Sequence, residues 1–184
     1  MKINRSGKSW LRTLGQNVAR ALPLAFVALL ATGIASAQDD TSLKFKGGIG
    51  VITVTGVAAN GAVTLNVVRG VSPGSPWRIK DLEAEVSTDG TIAVKGRGLL
   101  LASGNGIGTN AGQSVHATLF CGPAATATAH DTTVSGVALE ADGDFTINDF
   151  LTPAPPFPCV NPVLLIRNVG GVWFAAGIPQ VEEQ

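Results

Sequence analysis

The most informative shortages in this chain of 184 residues are those of histidine and of charge. There are two histidines, so a zinc or copper centre built from several histidines is excluded. Only 14% of the residues are charged, and lysine and arginine do not cluster in the part of the chain after residue 37. A nucleic-acid partner is therefore not expected, because binding to phosphates needs a basic patch.

The chain after residue 37 also lacks any stretch with an apolar stripe at helical spacing over three turns. Tyrosine is absent, and the only methionine is the initiator. Glycine, valine and threonine are frequent, whereas lysine, glutamate and leucine are sparse. Because the first group suits strands and turns and the second suits helices, this composition predicts an all-β protein.

The first 37 residues have the pattern of a cleavable export signal. Residues 1–20 contain five cations and no acidic residue, and an apolar run follows from Ala21 to Ile34. The run ends in Ala35-Ser36-Ala37, which is the small-x-small pattern of a cleavage site. The run is shorter than the roughly 20 residues of a membrane-spanning helix, so we expect cleavage between Ala37 and Gln38 and no membrane insertion afterwards.

Cleavage at this position leaves residues 38–184, which are enough for one domain with its own core. The five signal cations are lost, so this domain has 8 basic and 13 acidic residues. The sequence therefore predicts a mildly acidic protein that is periplasmic or secreted. Its expected partner is an envelope or extracellular protein or a glycan.

Short alternating runs separated by turn dipeptides predict an antiparallel sheet. The dipeptides are Asn60-Gly61, Asp89-Gly90, Asp142-Gly143 and Gly170-Gly171. An Asn-Gly pair between two alternating runs indicates a two-residue hairpin turn in which both residues have positive φ. Nine or ten short strands of this kind predict a β-sandwich of the immunoglobulin-like or jelly-roll-like type, with a closed barrel as the alternative.

The two cysteines are expected to form a structural disulfide. An exported chain meets an oxidising compartment, and Cys121 has the same strand parity as Val115, Ala117 and Leu119, on the apolar face. Linking Cys121 to Cys159 closes a loop of about 39 residues and stabilises the fold by roughly 4 kcal/mol in the chain-entropy model.

The sequence contains no recognisable catalytic set. His116 is expected on the face opposite Cys121, and His130 lies beside Asp131 in a segment, 122–131, that is predicted to be a loop. No Gly-x-Ser-x-Gly motif is present to position a nucleophile. We therefore predict that the protein is not an enzyme.

Two weaker ligand sites are also predicted. Asp142, Asp144 and Asp149 provide oxygen atoms that could bind calcium, although their spacing is not that of a helix-loop-helix calcium site. Trp77, after a proline-containing loop, and His130 are candidate contacts for a ligand such as a glycan.

No cofactor is expected. The segment Gly104 to Ala111 matches a weak form of the dinucleotide-binding fingerprint, but an alternating strand pattern follows it instead of a helix. We interpret this segment as part of a glycine-rich loop, 103–112.

The functional expectation is a non-catalytic exported domain that acts through surface contacts. A module that binds a glycan or calcium is the alternative, and a hydrolase is a third hypothesis. The loops 70–77, 103–112 and 122–131 are the expected positions of the functional residues, because packing constrains them least.

Overall fold

A computed structural model describes residues 42–180, and the predicted signal segment and its cleavage site at Ala37 and Gln38 lie outside this range. The described residues form strands and connecting loops. No helix in this range could cross a membrane. The thirteen strands are β1 Leu43–Gly50, β2 Val54–Val57, β3 Val63–Leu65, β4 Trp77–Arg78, β5 Asp81–Val86, β6 Thr91–Arg97, β7 Leu100–Leu101, β8 Ser114–Cys121, β9 Thr128–Asp131, β10 Val137–Ala138, β11 Phe145–Phe150, β12 Val163–Asn168 and β13 Trp173–Pro179.

Nine of these strands form one antiparallel sheet in the order β10-β8-β12-β13-β1-β5-β6-β11, with β9 also paired to β8. The two ends of this path meet, because β10 contacts β11. Asp131, at the end of β9, also exchanges two backbone hydrogen bonds with Thr152, which follows β11. The sheet is thus nearly closed, in an arrangement between the predicted sandwich and its barrel alternative. The all-β antiparallel prediction is confirmed.

The core lies on the inner face of this sheet and follows the predicted alternation. In β5, Leu82, Ala84 and Val86 are buried, while Glu83 and Glu85 are exposed. This alternation of buried and exposed residues is typical of a sheet with one face packed on the core and the other in solvent. The largest fully buried side chains are Phe45, Leu82, Ile92, Leu99, Leu119, Leu164, Leu165, Ile166, His116, Val51, Val86 and Val94.

Strand β8 departs from this pattern because both of its faces are buried. Every residue from Val115 to Cys121 is buried, and the strand is hydrogen-bonded to β12 on one side and to β9 and β10 on the other. The disulfide between Cys121 and Cys159 is present, with the two Cα atoms 5.1 Å apart. It joins the end of β8 to the segment before β12, as predicted, and it points to an oxidising compartment.

The prediction that residues 122–131 form a loop is wrong in part, because β9 occupies Thr128–Asp131. The segment Ala127-Thr-Ala-His-Asp131 has little β-branched or aromatic character. It forms a strand because β8 offers it an unpaired edge, so tertiary pairing overrides a weak local preference.

All four predicted turns occur at the dipeptides, but their backbone conformation differs from that of a two-residue hairpin turn. In each, the glycine has positive φ, between 79° and 87°, and its N–H donates to the carbonyl three residues earlier. In this described part of the chain, the residue before each of these glycines does not have a positive φ. These are three-residue loops ending in a left-handed glycine, so the two-residue form predicted for Asn60-Gly61 is wrong.

Glycines at close backbone contacts allow a test of this packing. A Cβ added at Gly50, in β1, would overlap the Trp77 carbonyl oxygen, which is backbone and cannot rotate away. We expect Gly50→Ala to lower the free energy of unfolding by about 2 kcal/mol in denaturant titrations, because overpacking forces the backbone to shift. Gly56→Ala is the matched control, since nothing lies within 4 Å of its added Cβ. Equal stabilities of the two variants would contradict the close contact.

Candidate functional site

A row of polar side chains crosses three neighbouring strands on the outer face of the sheet. His116 and Thr118 belong to β8, where they are opposed directly by Arg167 of β12 and Asp131 of β9, respectively. Directly opposed residues have Cβ atoms about 5 Å apart, so the sheet register alone brings these groups together. We call His116, Thr118, Asp131 and Arg167 the Asp131 network.

The carboxylate oxygen Oδ1 of Asp131 is the centre of this network. It accepts a hydrogen bond from Thr118 Oγ1 at 2.5 Å and lies 3.5 Å from Arg167 Nη1. Arg167 also donates from Nη1 to Thr118 Oγ1 and from Nε and Nη2 to the Gly171 carbonyl. The charges of Arg167 and Asp131 thus hold each other in place, and the turn between β12 and β13 also holds the Arg167 side chain.

His116 lies beside these charges in a buried position. Its side chain is 2% exposed, and its Nε2 is 4.0 Å from Asp131 Oδ1, which is too long for a hydrogen bond. Burial lowers the pKa of His116 below its ordinary value of 6.5. The positive charge of Arg167 lowers this pKa further, and Asp131 opposes both effects.

The network is structurally closed and does not resemble a catalytic set. Thr118 is fully buried, and its hydroxyl proton is donated to Asp131, so it offers no accessible nucleophile. His130 is on the opposite face of β9, where it pairs with Leu119 and is 2% exposed. Its Nδ1 is 2.7 Å from the Pro153 carbonyl. The two histidines therefore do not converge.

A groove of about 400 Å³ opens beside Asp131, and we call it the Phe150 groove. Phe150, which lines this groove, is 62% exposed. The Asp149 carboxylate is fixed by hydrogen bonds from the Thr133 and Phe150 N–H groups, which lower its pKa. The groove is lined by Asp131, Thr132, Thr133, Val134, Asp149, Phe150 and Thr152.

Sequence reasoning missed Phe150, although its parity was informative. In β11, Phe145 and Ile147 face the core, so Phe150 falls with Thr146 and Asn148 on the solvent side. An aromatic residue at a solvent-facing strand position was the available signal.

Trp77 is 4% exposed and stacks on Phe174, with ring centroids 4.2 Å apart. Its ring is therefore part of the core, and the hypothesis of a glycan contact at Trp77 gains no support from this position.

The three calcium candidates do not lie together. Asp142 and Asp144 are in the turn before β11 and accept hydrogen bonds from the Asp144 and Gly98 N–H groups, respectively. Asp149 is near the far end of β11, five residues and therefore about 16 Å beyond Asp144. Within residues 42–180, no group of three or more His, Cys, Asp or Glu side chains is arranged to hold a metal ion.

The β2–β3 hairpin is a second distinctive surface, and we call Val54 to Leu65 the apolar hairpin. Val54 pairs with Leu65 and Val57 pairs with Val63, so these four side chains share one face. A bulge between Val54 and Gly56 makes this possible, because without the extra residue Val54 and Val57 would face opposite ways. All four side chains are exposed, at 38–68%.

Apolar exposure is concentrated in this part of the molecule. Seven of the 13 exposed large apolar side chains of the described residues lie between Ile49 and Val67. The segment from Val51 to Val68 contains no charged residue. Contiguous exposed apolar patches mark interaction sites more often than scattered ones do.

The burial of His116 predicts a defined pH dependence of stability. The folded protein binds a proton at His116 less readily than the unfolded chain, so the free energy of unfolding falls as the pH decreases below 6.5. The slope contributed by this one group is at most about 1.4 kcal/mol per pH unit. We expect His116→Gln to flatten the dependence between pH 7 and pH 5 in denaturant titrations. Parallel curves for the two proteins would contradict the assignment.

The described surface thus presents a closed polar network, an open groove beside it and an uncharged apolar hairpin. Comparisons with protein-family models, curated proteins and solved structures gave no match.

Proposed function

We propose that this protein is an exported, non-catalytic β domain that acts through a surface contact made by the apolar hairpin. The observation that carries the proposal is the uncovered face formed by Val54, Val57, Val63 and Leu65. The contact takes place in the periplasm or outside the cell. The signal-like residues 1–37 and the Cys121–Cys159 disulfide support this location.

The energetic cost of the exposed hairpin supports a role in binding. Full burial of a valine or leucine side chain is worth about 1.5–3 kcal/mol. Four such side chains, each about half exposed, therefore leave roughly 4 kcal/mol of stabilisation unused. An isolated two-stranded hairpin is also only marginally stable in water, so a partner that covers this face would stabilise the element itself.

The composition of the hairpin favours a protein partner. The segment between its two strands, Ala58-Ala-Asn-Gly-Ala62, has no aromatic or basic residue. Membrane-surface segments use such residues to sit among lipid headgroups, and glycan-binding surfaces use aromatic rings. Small aliphatic side chains on a β face fit the apolar surface of another protein instead.

The closed polar network supports the non-catalytic part of the proposal. The hydroxyl of Thr118 and the charges of Asp131 and Arg167 are engaged with one another, and His116 is buried beside them. These interactions hold β8, β9 and β12 together, which is a structural role.

Site-specific photocrosslinking in exporting cells tests the proposed contact. We expect a photoreactive residue at position 57 to give a protein–protein product, because Val57 is 68% exposed on the apolar face. The same residue at position 107 is the matched control, since Ile107 is 65% exposed in the glycine-rich loop. Products of equal yield at both positions, or none at position 57, would rule out the hairpin as the contact surface.

A second candidate function is supported by the Phe150 groove. The exposed Phe150 ring offers an apolar face for stacking. The Asp149 carboxylate and the neighbouring threonine hydroxyls of the groove can bond to hydroxyl groups. This combination suits a neutral saccharide, so we propose this groove, instead of Trp77, as the contact for the alternative glycan ligand.

A thermal-unfolding screen against neutral saccharides tests this candidate. A ligand that binds only the folded protein raises the midpoint. For a saccharide that raises the midpoint, we expect Phe150→Ala to raise the dissociation constant about tenfold, equal to about 1.4 kcal/mol, and so to reduce the midpoint shift, because the stacking surface is lost. Ile107→Ala is the control, and a response that survives in Phe150→Ala would exclude the groove.

A further inference from the structure

We infer that the peptide bond between Asn161 and Pro162 is a site of self-cleavage, at which the Asn161 side chain cuts its own main chain with the help of Arg69. The inference is independent of the proposed function, because it uses neither the apolar hairpin nor the Phe150 groove. It adds a chemical step that the chain performs once on itself, without turnover of a separate substrate.

Arg69 and Asn161 are two unusual backbone positions that lie in contact, although they are 92 positions apart in the sequence. Among residues 42–180, three residues other than glycine have positive φ, and these two have values of 52° and 48°. Arg69 Nη2 donates a hydrogen bond to the main-chain carbonyl oxygen of Asn161 at 2.9 Å. Left-handed residues other than glycine store strain and are concentrated at functional sites. The pairing of two such residues therefore marks this carbonyl group as a candidate reactive centre.

The strain at Asn161 bears directly on its bond to Pro162. A residue before proline prefers an extended backbone with φ of about −120°, because the proline ring crowds the preceding residue. Asn161 has a φ of 48° instead. Breaking the bond to Pro162 removes this restriction, so part of the strain is released by cleavage.

The chain is held in this conformation from both sides of the strained bond. Cys159 is joined to β8 by the disulfide, and the Val160 carbonyl accepts a hydrogen bond from the Gly122 N–H. On the other side, Val163 begins β12 and pairs with Phe120 of β8. Because β8 anchors both flanks, the strain cannot be relieved by a movement of the loop.

Arg69 is also fixed, in a two-residue turn between Val68 and Val71. The N–H of each valine donates to the carbonyl of the other. Arg69 and Gly70 both have positive φ, as in a type I′ turn. Arg69 Nη1 is buried and has no hydrogen-bond partner within residues 42–180. A negative charge that develops on the Asn161 carbonyl oxygen would therefore be stabilised by a nearby, incompletely paired guanidinium.

Proline as the next residue determines which reaction Asn161 can undergo. Pro162 has no backbone N–H, so its nitrogen cannot attack the Asn161 side chain, and the usual route to deamidation is blocked. The remaining ring closure is attack by Asn161 Nδ2 on the main-chain carbonyl carbon of the same residue. Asn161 is exposed, and its side-chain amide makes no hydrogen bond to the residues that the structure describes. This amide is thus available as the nucleophile.

The proposed step exchanges one carbon–nitrogen bond for another. A bond forms between Asn161 Nδ2 and its carbonyl carbon, and the bond from that carbon to the Pro162 nitrogen breaks. The proton lost by Nδ2 passes through water to the Pro162 nitrogen, which leaves as a secondary amine. The first fragment then ends in a succinimide ring, which water opens in a later step. Cleavage itself needs no oxidant, reductant or added water.

The cut protein is expected to keep its fold, because the sheet holds the second fragment. This fragment contains β12 and β13, which lie between β8 and β1. Its side chains Leu164, Leu165 and Ile166 are fully buried. The disulfide does not retain it, since both cysteines belong to the first fragment. The two fragments should therefore stay together in native buffer and separate in denaturant.

Mass spectrometry of the purified exported protein, sampled over several weeks at neutral pH and then denatured, is the primary test. We expect one fragment that ends at Asn161 and one that begins at Pro162. At early times, the first should be lighter by one water molecule than a fragment made by hydrolysis, which distinguishes self-cleavage from a contaminating protease. Asn161→Gly should stay intact, because glycine accepts the left-handed backbone and lacks the amide.

Arg69→Gly tests the contribution of the guanidinium, because two glycines also fit a type I′ turn. It should slow cleavage at least about tenfold, since loss of one donor to an oxyanion commonly costs more than this in enzymes. Arg78→Ala, at an exposed position in β4, is the control and should cleave at the wild-type rate. Thermal unfolding of each variant establishes that it is folded.

Four results would each overturn the inference. They are a wild-type bond that stays intact, a cut in Asn161→Gly, equal rates in the wild type and Arg69→Gly, and a first fragment without the mass deficit at early times. None of them affects the photocrosslinking test at position 57, so the proposed function stands or fails separately.

Discussion

The burial of β8 on both faces is the constraint on which the rest of the structure depends. A strand in this position must bury an inner row of apolar side chains and an outer row that here includes His116 and Thr118. The buried polar groups of the outer row need partners within the protein, because unpaired polar atoms are costly away from water. Asp131 and Arg167 provide them for Thr118, and this requirement fixes the positions of β9 and β12 on either side. The disulfide at Cys121 then holds the end of the same strand.

Much of this fold could be predicted from the sequence because its signals are local. Alternation in β5 and in β8 assigned each side chain to a face, and the glycine dipeptides located four turns. The form of those turns depends on hydrogen bonds that the dipeptide does not specify. Asn60, Asp89 and Asp142 each accept a hydrogen bond from the N–H two residues later. This bond stabilises a longer loop in which only the glycine is left-handed.

The candidate sites were less predictable because they depend on what covers each face. Parity correctly separated His116 from Cys121, but it could not show that the face of His116 is buried as well. Trp77 follows a proline loop, and only its stacking on Phe174 places it in the core. The apolar hairpin has the sequence pattern of an ordinary buried strand pair. Its exposure therefore depends on the position of the other strands and cannot be predicted from the pattern. Phe150 is the exception, since its parity alone indicated exposure.

The loop of the apolar hairpin has a chemical consequence for the lifetime of the molecule. Asn60 is followed by Gly61, and glycine allows the backbone nitrogen to reach the side-chain amide carbon because it has no Cβ to obstruct the approach. Asn-Gly sequences in exposed loops therefore lose ammonia through a cyclic imide and become aspartate or isoaspartate. At this position, the reaction would place a negative charge in a segment that otherwise has none. Older molecules of this protein would thus differ from newly made ones at the surface that we assign to binding.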